Sequence, residues 1–228
     1  MKFSSLPLSE AIAASAARLR KQSQSGDLRI TRRDRMAIAA SITWGVLLLC
    51  GTPWLDGSWM GKDDITLVVD ETSQNGVPRR SVSYPALSYK FIPETPRQGA
   101  DEKRPLSGFQ GSHIRNKALF ALGMVLIELG LGKPYEQIRA ETRIDGLEQS
   151  ESSLEYFAVA NRVINSELLA LDVGESYANA VQRCIQCQFL GAESTHNFSH
   201  AKFRKDFYTG VVAPIQATFD NQITLGSL

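Results

Sequence analysis

The sequence predicts a mainly helical single domain, and three observations support this fold class. The chain has 228 residues, a length that fits one domain with a substantial core. Segments with apolar residues at helical spacing outnumber the short β-branched runs. One segment, Leu119–Leu129, is apolar at every position except Gly123 and Glu128, and a helix without a polar stripe belongs in the middle of a core. We therefore predict a central buried helix at residues 117–131, around which the other helices pack.

The central helix carries start and stop residues, and it also contains one charge. Asn116 can cap its first turn, and Gly132 and Pro134 end it. Its apolar run is shorter than the roughly 20 residues that a bilayer requires. We expect Glu128 to be buried and paired with a cation, for which Arg183 is one candidate, because an unpaired buried carboxylate has a large desolvation cost.

The N-terminal part, residues 1–26, is predicted to be a helix and a hinge. Apolar residues at helical spacing predict a surface helix over Leu8–Lys21, followed by a polar hinge at Gln22–Gly26. The start of the chain superficially resembles a signal peptide, but Pro7 and Glu10 interrupt its apolar region. We interpret it as an intracellular amphipathic helix.

A second, longer helix is predicted over Arg32–Cys50, with Thr31 as its N-cap. Because Met36–Leu55 carries no charge across twenty residues, a transmembrane interpretation has to be weighed. Five small or polar residues dilute the hydrophobicity of this span: Ser41, Thr43, Gly45, Gly51 and Pro53. We prefer a core helix that packs on the central one.

A short β-hairpin is predicted near residues 65–84. The β-branched run Ile65–Val69 indicates a strand, Asn75–Gly76 is a strong hairpin turn, and Arg80–Tyr84 is the return strand. Prolines on either side of the return strand confine it to an edge of the sheet.

The rest of the chain alternates polar connections with helices. Residues 85–116 are rich in Pro, Gly and charge, which predicts a mobile loop. Glu136–Glu151 is a polar connection with one helical turn. Three further helices are predicted, at Leu154–Asn165, Ser176–Leu190 and His200–Ala217. Pro214 bends or ends the last one.

Charge and cysteine content restrict the possible functions. With 25 basic and 24 acidic side chains the net charge is +1. The overall charge therefore gives no reason to expect binding to nucleic acid or to a membrane surface. Basic residues crowd the region from Arg18 to Arg35 and acidic ones the region from Glu136 to Glu155. We prefer two solvated faces over a basic docking surface. Three cysteines do not make a disulfide framework, which indicates a reducing, cytoplasmic compartment.

Common catalytic motifs are missing from the sequence. A phosphate-binding loop at Gly132–Lys133 fails because Ile127 occupies the first glycine position and Pro134 replaces the metal-binding Ser or Thr. No G-x-S-x-G element occurs.

One set of residues has metal-ligand spacing. Cys184 and Cys187, followed by His196 and His200, could supply four ligands to a tetrahedral zinc ion. The two cysteines, however, fall in an apolar helical pattern, where free cysteine behaves as a small buried hydrophobe. We therefore prefer a core role for them and assign no metal site.

Three groups of residues follow one another in a characteristic order. They are Thr52–Leu55 after a long helix; then Leu119–Gly123, Ile127–Leu129 and Gly132–Pro134; and finally Tyr177–Ala178 through Arg183–Cys187. Over about residues 30–215 this order resembles the C-terminal lobe of a protein kinase. It resembles more closely a family of degenerate kinase-like domains of filamentous fungi, often found behind helical cell-death domains of the HeLo type. The resemblance implies a lobe assembled on the helix at 117–131.

Departures from the kinase pattern argue against catalysis. A working kinase needs a Gly-rich loop, a strand lysine, a catalytic His-Arg-Asp and a magnesium-binding Asp-Phe-Gly, and the sequence contains none of them. Gly51–Asp56 occupies the place of the catalytic loop, and Tyr208 follows Asp206–Phe207 where glycine is required.

We therefore expect a pseudokinase-like interaction or regulatory module with a protein partner. We expect no catalytic residues, metal, cofactor, bound nucleotide, nucleic-acid partner or membrane span. The resemblance implies a role in fungal non-self recognition or cell-death signalling. One alternative is a divergent phosphotransferase that uses aspartates between residues 56 and 70, namely Asp56, Asp63, Asp64 and Asp70. The other is a zinc-stabilised binding module.

Overall fold

The computed structural model of the protein describes residues 2–18, 30–50, 52, 61–74, 77–87, 114–142, 153–191 and 196–225. These residues form a mainly helical fold with one small antiparallel sheet, as predicted. The helices are α1 (Leu8–Arg18), α2 (Arg32–Leu49), α3 (Lys117–Leu131), α4 (Tyr135–Thr142), α5 (Ser153–Asn165), α6 (Leu168–Val173), α7 (Glu175–Gln186), α8 (Ala201–Phe207) and α9 (Ala213–Leu225). The strands are β1 (Lys2–Pro7), β2 (Ile65–Gln74) and β3 (Val77–Leu87).

Helix α3 is the central helix that the sequence predicts, with the predicted bounds. The side chain of Asn116 accepts a hydrogen bond from the Leu119 N–H at 3.0 Å. Gly132 ends the helix in the left-handed conformation with φ 63°, which glycine adopts without strain. All twelve residues of Leu119–Gly130 are buried. Helices α2, α4, α5, α6 and α7 all pack against α3.

Two glycines inside α3 allow its neighbours to approach closely. A Cβ atom at Gly123 would lie 2.6 Å from Cδ1 of Ile185 on α7, and one at Gly130 would lie 2.6 Å from Cδ1 of Leu169 on α6. Glycine in a helix interior is unfavourable by about 1 kcal/mol relative to alanine. Close packing at both sites explains why glycine occurs there.

Helix α2 begins at the predicted cap. Thr31 and Asp34 form a capping box, in which the Asp34 N–H donates to the Thr31 hydroxyl at 3.2 Å and the Thr31 N–H donates to the Asp34 carboxylate at 2.8 Å. The helix packs against α3 and α9. Among the described residues no single helix is long and apolar enough to cross a membrane; α3 and α4, bent by 80°, pass that test together by length and composition alone.

The sheet has the order β1-β2-β3, so β2 is central and β3 lies at an edge, as its prolines predict. The interpretation of residues 2–7 as part of the N-terminal helix is wrong, because they form β1. Lys2–Pro7 pairs antiparallel with β2, and Leu6 lies opposite Leu67. The backbone of this segment obtains its hydrogen bonds from a strand more than 50 residues away, which its local sequence does not reveal.

Three helices differ from the prediction in the region after α3. The connection predicted to hold one turn contains α4, which has eight residues. Helix α6 was not predicted at all. Helix α7 ends at Gln186 instead of Leu190, because Cys187 takes the left-handed conformation with φ 50°.

The last predicted helix continues further than expected. Between α8 and α9 the segment Tyr208–Val212 is a π-helix, and α9 runs on to Leu225. Pro214 therefore does not end the helix. Proline has no N–H to donate to the preceding turn, and the wider turn of the π-helix lies directly before it.

Several predictions fall outside the described residues. They concern the hinge at Gln22–Gly26, the turn Asn75–Gly76, and nearly all of the loop at 85–116, of which Pro85 to Leu87 belong to β3 and 114–116 precede α3.

Candidate functional site

Glu128 is buried and paired, as predicted, but its partner is a lysine. Its side chain is 3% exposed, and one carboxylate oxygen lies 2.7 Å from Nζ of Lys62. The same oxygen accepts the backbone N–H of Tyr135 at 2.6 Å. The predicted candidate Arg183 is instead exposed and lies against Gly210.

This ion pair joins three elements. Lys62 belongs to the 3₁₀ turn Gly61–Asp64, Glu128 to α3, and Tyr135 begins α4. Burial alone would lower the pKa of Lys62, but the attraction and hydrogen bond of Glu128, together with the attractions of Glu136 and Asp63, outweigh burial and the pKa is raised. Burial raises the pKa of Glu128 against the opposing effect of Lys62. The pair holds these three elements together, because both charges and the first N–H of α4 find their partners within the protein.

A second buried carboxylate holds α4 against α5. Glu155 is 4% exposed and forms an ion pair with Arg139. The rings of Tyr135 and Tyr156 stack beside it with centroids 4.4 Å apart and an interplanar angle of 18°. Burial raises the pKa of Tyr135, and its buried hydroxyl has no hydrogen-bond partner among the residues that the structure describes. These contacts fix the position of α4 relative to α5.

A concave site lies where α3 ends and α4, α5 and α6 meet; we call it the α4–α6 groove. Its volume is about 380 Å³. Five apolar residues line it: Leu131, Ile138, Val163, Leu168 and Leu171. Four charged residues also line it: Lys133, Glu141, Arg162 and Asp172. Thr142 and Ser166 complete the lining, so the groove combines apolar surface with polar and charged side chains.

Helix α6 presents two leucines at the rim of the groove. Leu168 is 56% exposed and Leu171 is 82% exposed, whereas Leu169 and Val173 on the same helix are buried. The buried pair attaches α6 to the core, and the exposed pair, three residues apart, faces outward. Exposed apolar surface beside a concave site with polar surroundings is typical of protein interaction sites.

The acidic residues of the groove already have basic neighbours. Lys133 Nζ lies 2.6 Å from Glu141. Arg32 donates a hydrogen bond to the backbone oxygen of Asp172, and the charge of Asp172 also acts on Arg35. Arg162 has no ion-pair partner within the part of the chain that the structure describes. The two basic and two acidic side chains of the lining therefore balance, and Arg162 is the lining charge that has no ion-pair partner among the described residues.

Arg35 lies against Gly132, between two residues that line the groove. Its guanidinium covers Gly132, where a Cβ atom would lie 1.6 Å from Nη1. Burial lowers the pKa of Arg35, while Asp172 acts in the opposite direction. Its Nε is buried, and no described residue forms a hydrogen bond with it. The contact requires glycine at position 132 and places a positive charge next to two lining residues, Leu131 and Lys133.

The cysteines and histidines considered for zinc are only partly brought together. Cys187 Sγ lies 3.5 Å from His196 Nδ1, and His196 Nε2 lies 3.1 Å from the Phe189 oxygen. Both Cys184 and Cys187 are buried, as the core interpretation predicts, and burial raises the pKa of Cys184. His200 is exposed. Across the described ranges no group of three or more His, Cys, Asp or Glu side chains could hold a metal ion.

The aspartates of the phosphotransferase alternative lie in different elements. Asp63 and Asp64 are in the 3₁₀ turn, Asp70 is on β2, and Asp56 is outside the described residues. Asp63 is exposed.

Sequence reasoning missed Lys62 and the groove for different reasons. Lys62 is 66 positions from Glu128, and no local pattern connects them. Helix α6, which carries the rim, did have a detectable pattern. Leu169 and Val173 are four residues apart and Gly174 follows with φ 98°, which is the spacing and ending of a short helix.

Comparison with known proteins gives a family and no activity. No curated protein and no solved structure matches the chain significantly. One family profile, described as a domain of unknown function, matches residues 1–222, which is nearly the whole chain. The protein therefore belongs to the DUF7580 family.

Proposed function

We propose that the protein is a non-catalytic protein-interaction or regulatory module, built like the C-terminal lobe of a protein kinase. The kinase-like part of the proposal is supported by α3, because the resemblance expects a buried helix of that kind at the centre of the lobe. By the same resemblance, the proposed setting is cytoplasmic signalling in fungal non-self recognition or cell death.

The observation that carries the interaction function is the exposure of Leu168 and Leu171 beside the α4–α6 groove. Leaving two leucines in water on one short helix forgoes hydrophobic stabilisation of about 1.5–3 kcal/mol for each side chain. A partner that covers them recovers this free energy on binding. In contrast, Glu128, Lys62 and Glu155 are engaged in internal contacts.

A nucleotide-binding experiment tests the non-catalytic part. Titration calorimetry with ATP and Mg²⁺, alongside a phosphate-incorporation assay, should give no heat of binding and no labelled protein, because the motifs that position nucleotide and metal are missing from the sequence. Micromolar binding, or incorporation lost in an Asp63→Asn, Asp64→Asn double variant, would replace this proposal with the phosphotransferase alternative.

Proximity labelling tests the interaction part. Cells that natively express the protein would carry a tagged wild type, a Leu168→Ser, Leu171→Ser double variant, or a Leu190→Ser control. Leu190 is 80% exposed and lies outside the groove. We expect the double variant to lose a set of labelled proteins that the control retains. Identical profiles for all three proteins would contradict the interaction function at this surface.

A further inference from the structure

We infer that the α4–α6 groove binds an acidic, amphipathic segment of a partner protein, in which two neighbouring apolar side chains lie beside a carboxylate. This inference rests on the interaction function proposed above and adds the chemistry of the partner. Three properties of the groove support it: its volume, its charge, and the position of its exposed leucines.

The volume fits two apolar side chains. A cavity of about 150 Å³ holds one benzene molecule, whereas the groove has about 380 Å³. Its apolar wall comes from α3, α4, α5 and α6, through Leu131, Ile138, Val163 and Leu168. A single side chain would leave much of this wall in water, so a pair of side chains matches the groove better.

One lining charge, that of Arg162, favours a carboxylate on the partner. Glu141 is neutralised by Lys133 at 2.6 Å, and Asp172 has Arg32 and Arg35 as neighbours. Arg162 remains without an ion-pair partner among the residues that the structure describes, and it is exposed within the lining. A guanidinium binds a carboxylate in a two-pronged geometry, so Arg162 is the position at which the partner's carboxylate binds.

The exposed leucines favour a peptide over a small molecule. A small molecule inside the groove leaves Leu171 uncovered, because that side chain is 82% exposed at the rim. A peptide chain continues past the rim and covers Leu168 and Leu171 together. Recognition of this kind, with apolar anchors on one face of a segment, is common among peptide-binding domains.

A peptide-display selection identifies the preferred segment. A random library of peptides of about 12 residues would be selected on the wild-type protein and counter-selected on the Leu168→Ser, Leu171→Ser variant. We expect enriched sequences with two apolar residues next to Asp or Glu. Enrichment of basic or purely apolar peptides, or no enrichment that depends on the groove, would overturn the inference.

Fluorescence anisotropy with one enriched peptide measures each contribution. Leu171→Ser should weaken binding about tenfold and Arg162→Gln about fivefold. The matched controls Leu190→Ser and Arg183→Gln, both at exposed positions outside the groove, should change it by less than about twofold. Raising NaCl from about 0.05 M to about 0.5 M should weaken binding to wild type more than to Arg162→Gln. Equal effects of groove and control variants contradict the assignment.

The binding and labelling experiments together distinguish an error in this inference from an error in the proposed function. If no acidic segment binds but the double leucine variant still loses labelled proteins in cells, the partner chemistry is wrong and the interaction function stands. If neither experiment depends on the leucines, both are wrong. Melting temperatures within about 2 °C of wild type establish that each variant is folded.

Discussion

Helices α3 and α6 place charged and apolar residues in opposite ways. The most buried helix, α3, contains a carboxylate, Glu128, that is 3% exposed. The six-residue helix α6 carries two leucines, Leu168 and Leu171, that face water. The charge on α3 is tolerated because Lys62 and a backbone N–H meet it inside the protein. The described residues provide no such cover for the leucines of α6, and this difference separates a residue that maintains the fold from residues available to a partner.

The largest effect is expected for a charge placed in α3 without a partner. Leu122 is fully buried, and Leu122→Asp should destabilise the domain by more than about 4 kcal/mol, enough to unfold it. Circular dichroism during urea titration measures this, with Leu190→Asp as the exposed control. A Leu122→Asp protein that melts cooperatively would contradict the central role of α3.

Removing the cation from Glu128 should have the next largest effect. Lys62→Met leaves a buried carboxylate with only the Tyr135 N–H, and we expect a loss of about 3 kcal/mol. The double variant Lys62→Met, Glu128→Gln should recover part of that loss, because no charge remains buried. If the double variant is less stable than Lys62→Met, the pair is not coupled as the geometry indicates.

Because the thiol of Cys184 is buried where α7 packs on α3, the free energy of unfolding should fall at alkaline pH. Burial raises the pKa of Cys184 above its ordinary value of 9.0, so the unfolded chain loses this proton first as the pH rises. Stability is then complete below about pH 9 and falls above it by up to about 1.4 kcal/mol per pH unit. Urea titrations between pH 8 and 10 should show this slope in wild type and a smaller one in Cys184→Ser. Equal slopes in the two proteins would mean that other titratable groups cause the pH dependence.

The smallest effect on stability is expected at the rim of the groove. Leu168→Ser and Leu171→Ser should change the free energy of unfolding by less than about 0.5 kcal/mol each, because water already surrounds these side chains. Leu169→Ser on the same helix should cost about 3 kcal/mol, because Leu169 is 1% exposed. A large loss for Leu171→Ser would mean that the exposed pair supports the fold.

The parts of the fold that depend on local pattern were predictable. The span of α3 follows from the residues within it, and its two caps follow from the residues that flank it, as does the Thr31 cap of α2. Contacts between distant segments could not be predicted from local pattern. Strand β1 pairs with a strand more than 50 residues later, and Glu128 forms its ion pair with Lys62 in place of the expected Arg183. The groove draws its walls from four helices, so no single stretch of sequence indicates it.

The π-helical segment Tyr208–Val212 affects where this part of the chain can gain or lose a residue. The buried residues Phe203, Phe207 and Val211 recur every four positions up to and into the segment, and the buried positions restart from Val212, its last residue, and Ile215. The wider π-turn accommodates one extra residue, which in a regular α-helix would turn all later side chains through about 100°. Deleting one residue from this turn should therefore leave a regular α-helix in which α9 keeps its contacts with α2 and α7, whereas a deletion within α9 would rotate the residues that follow it.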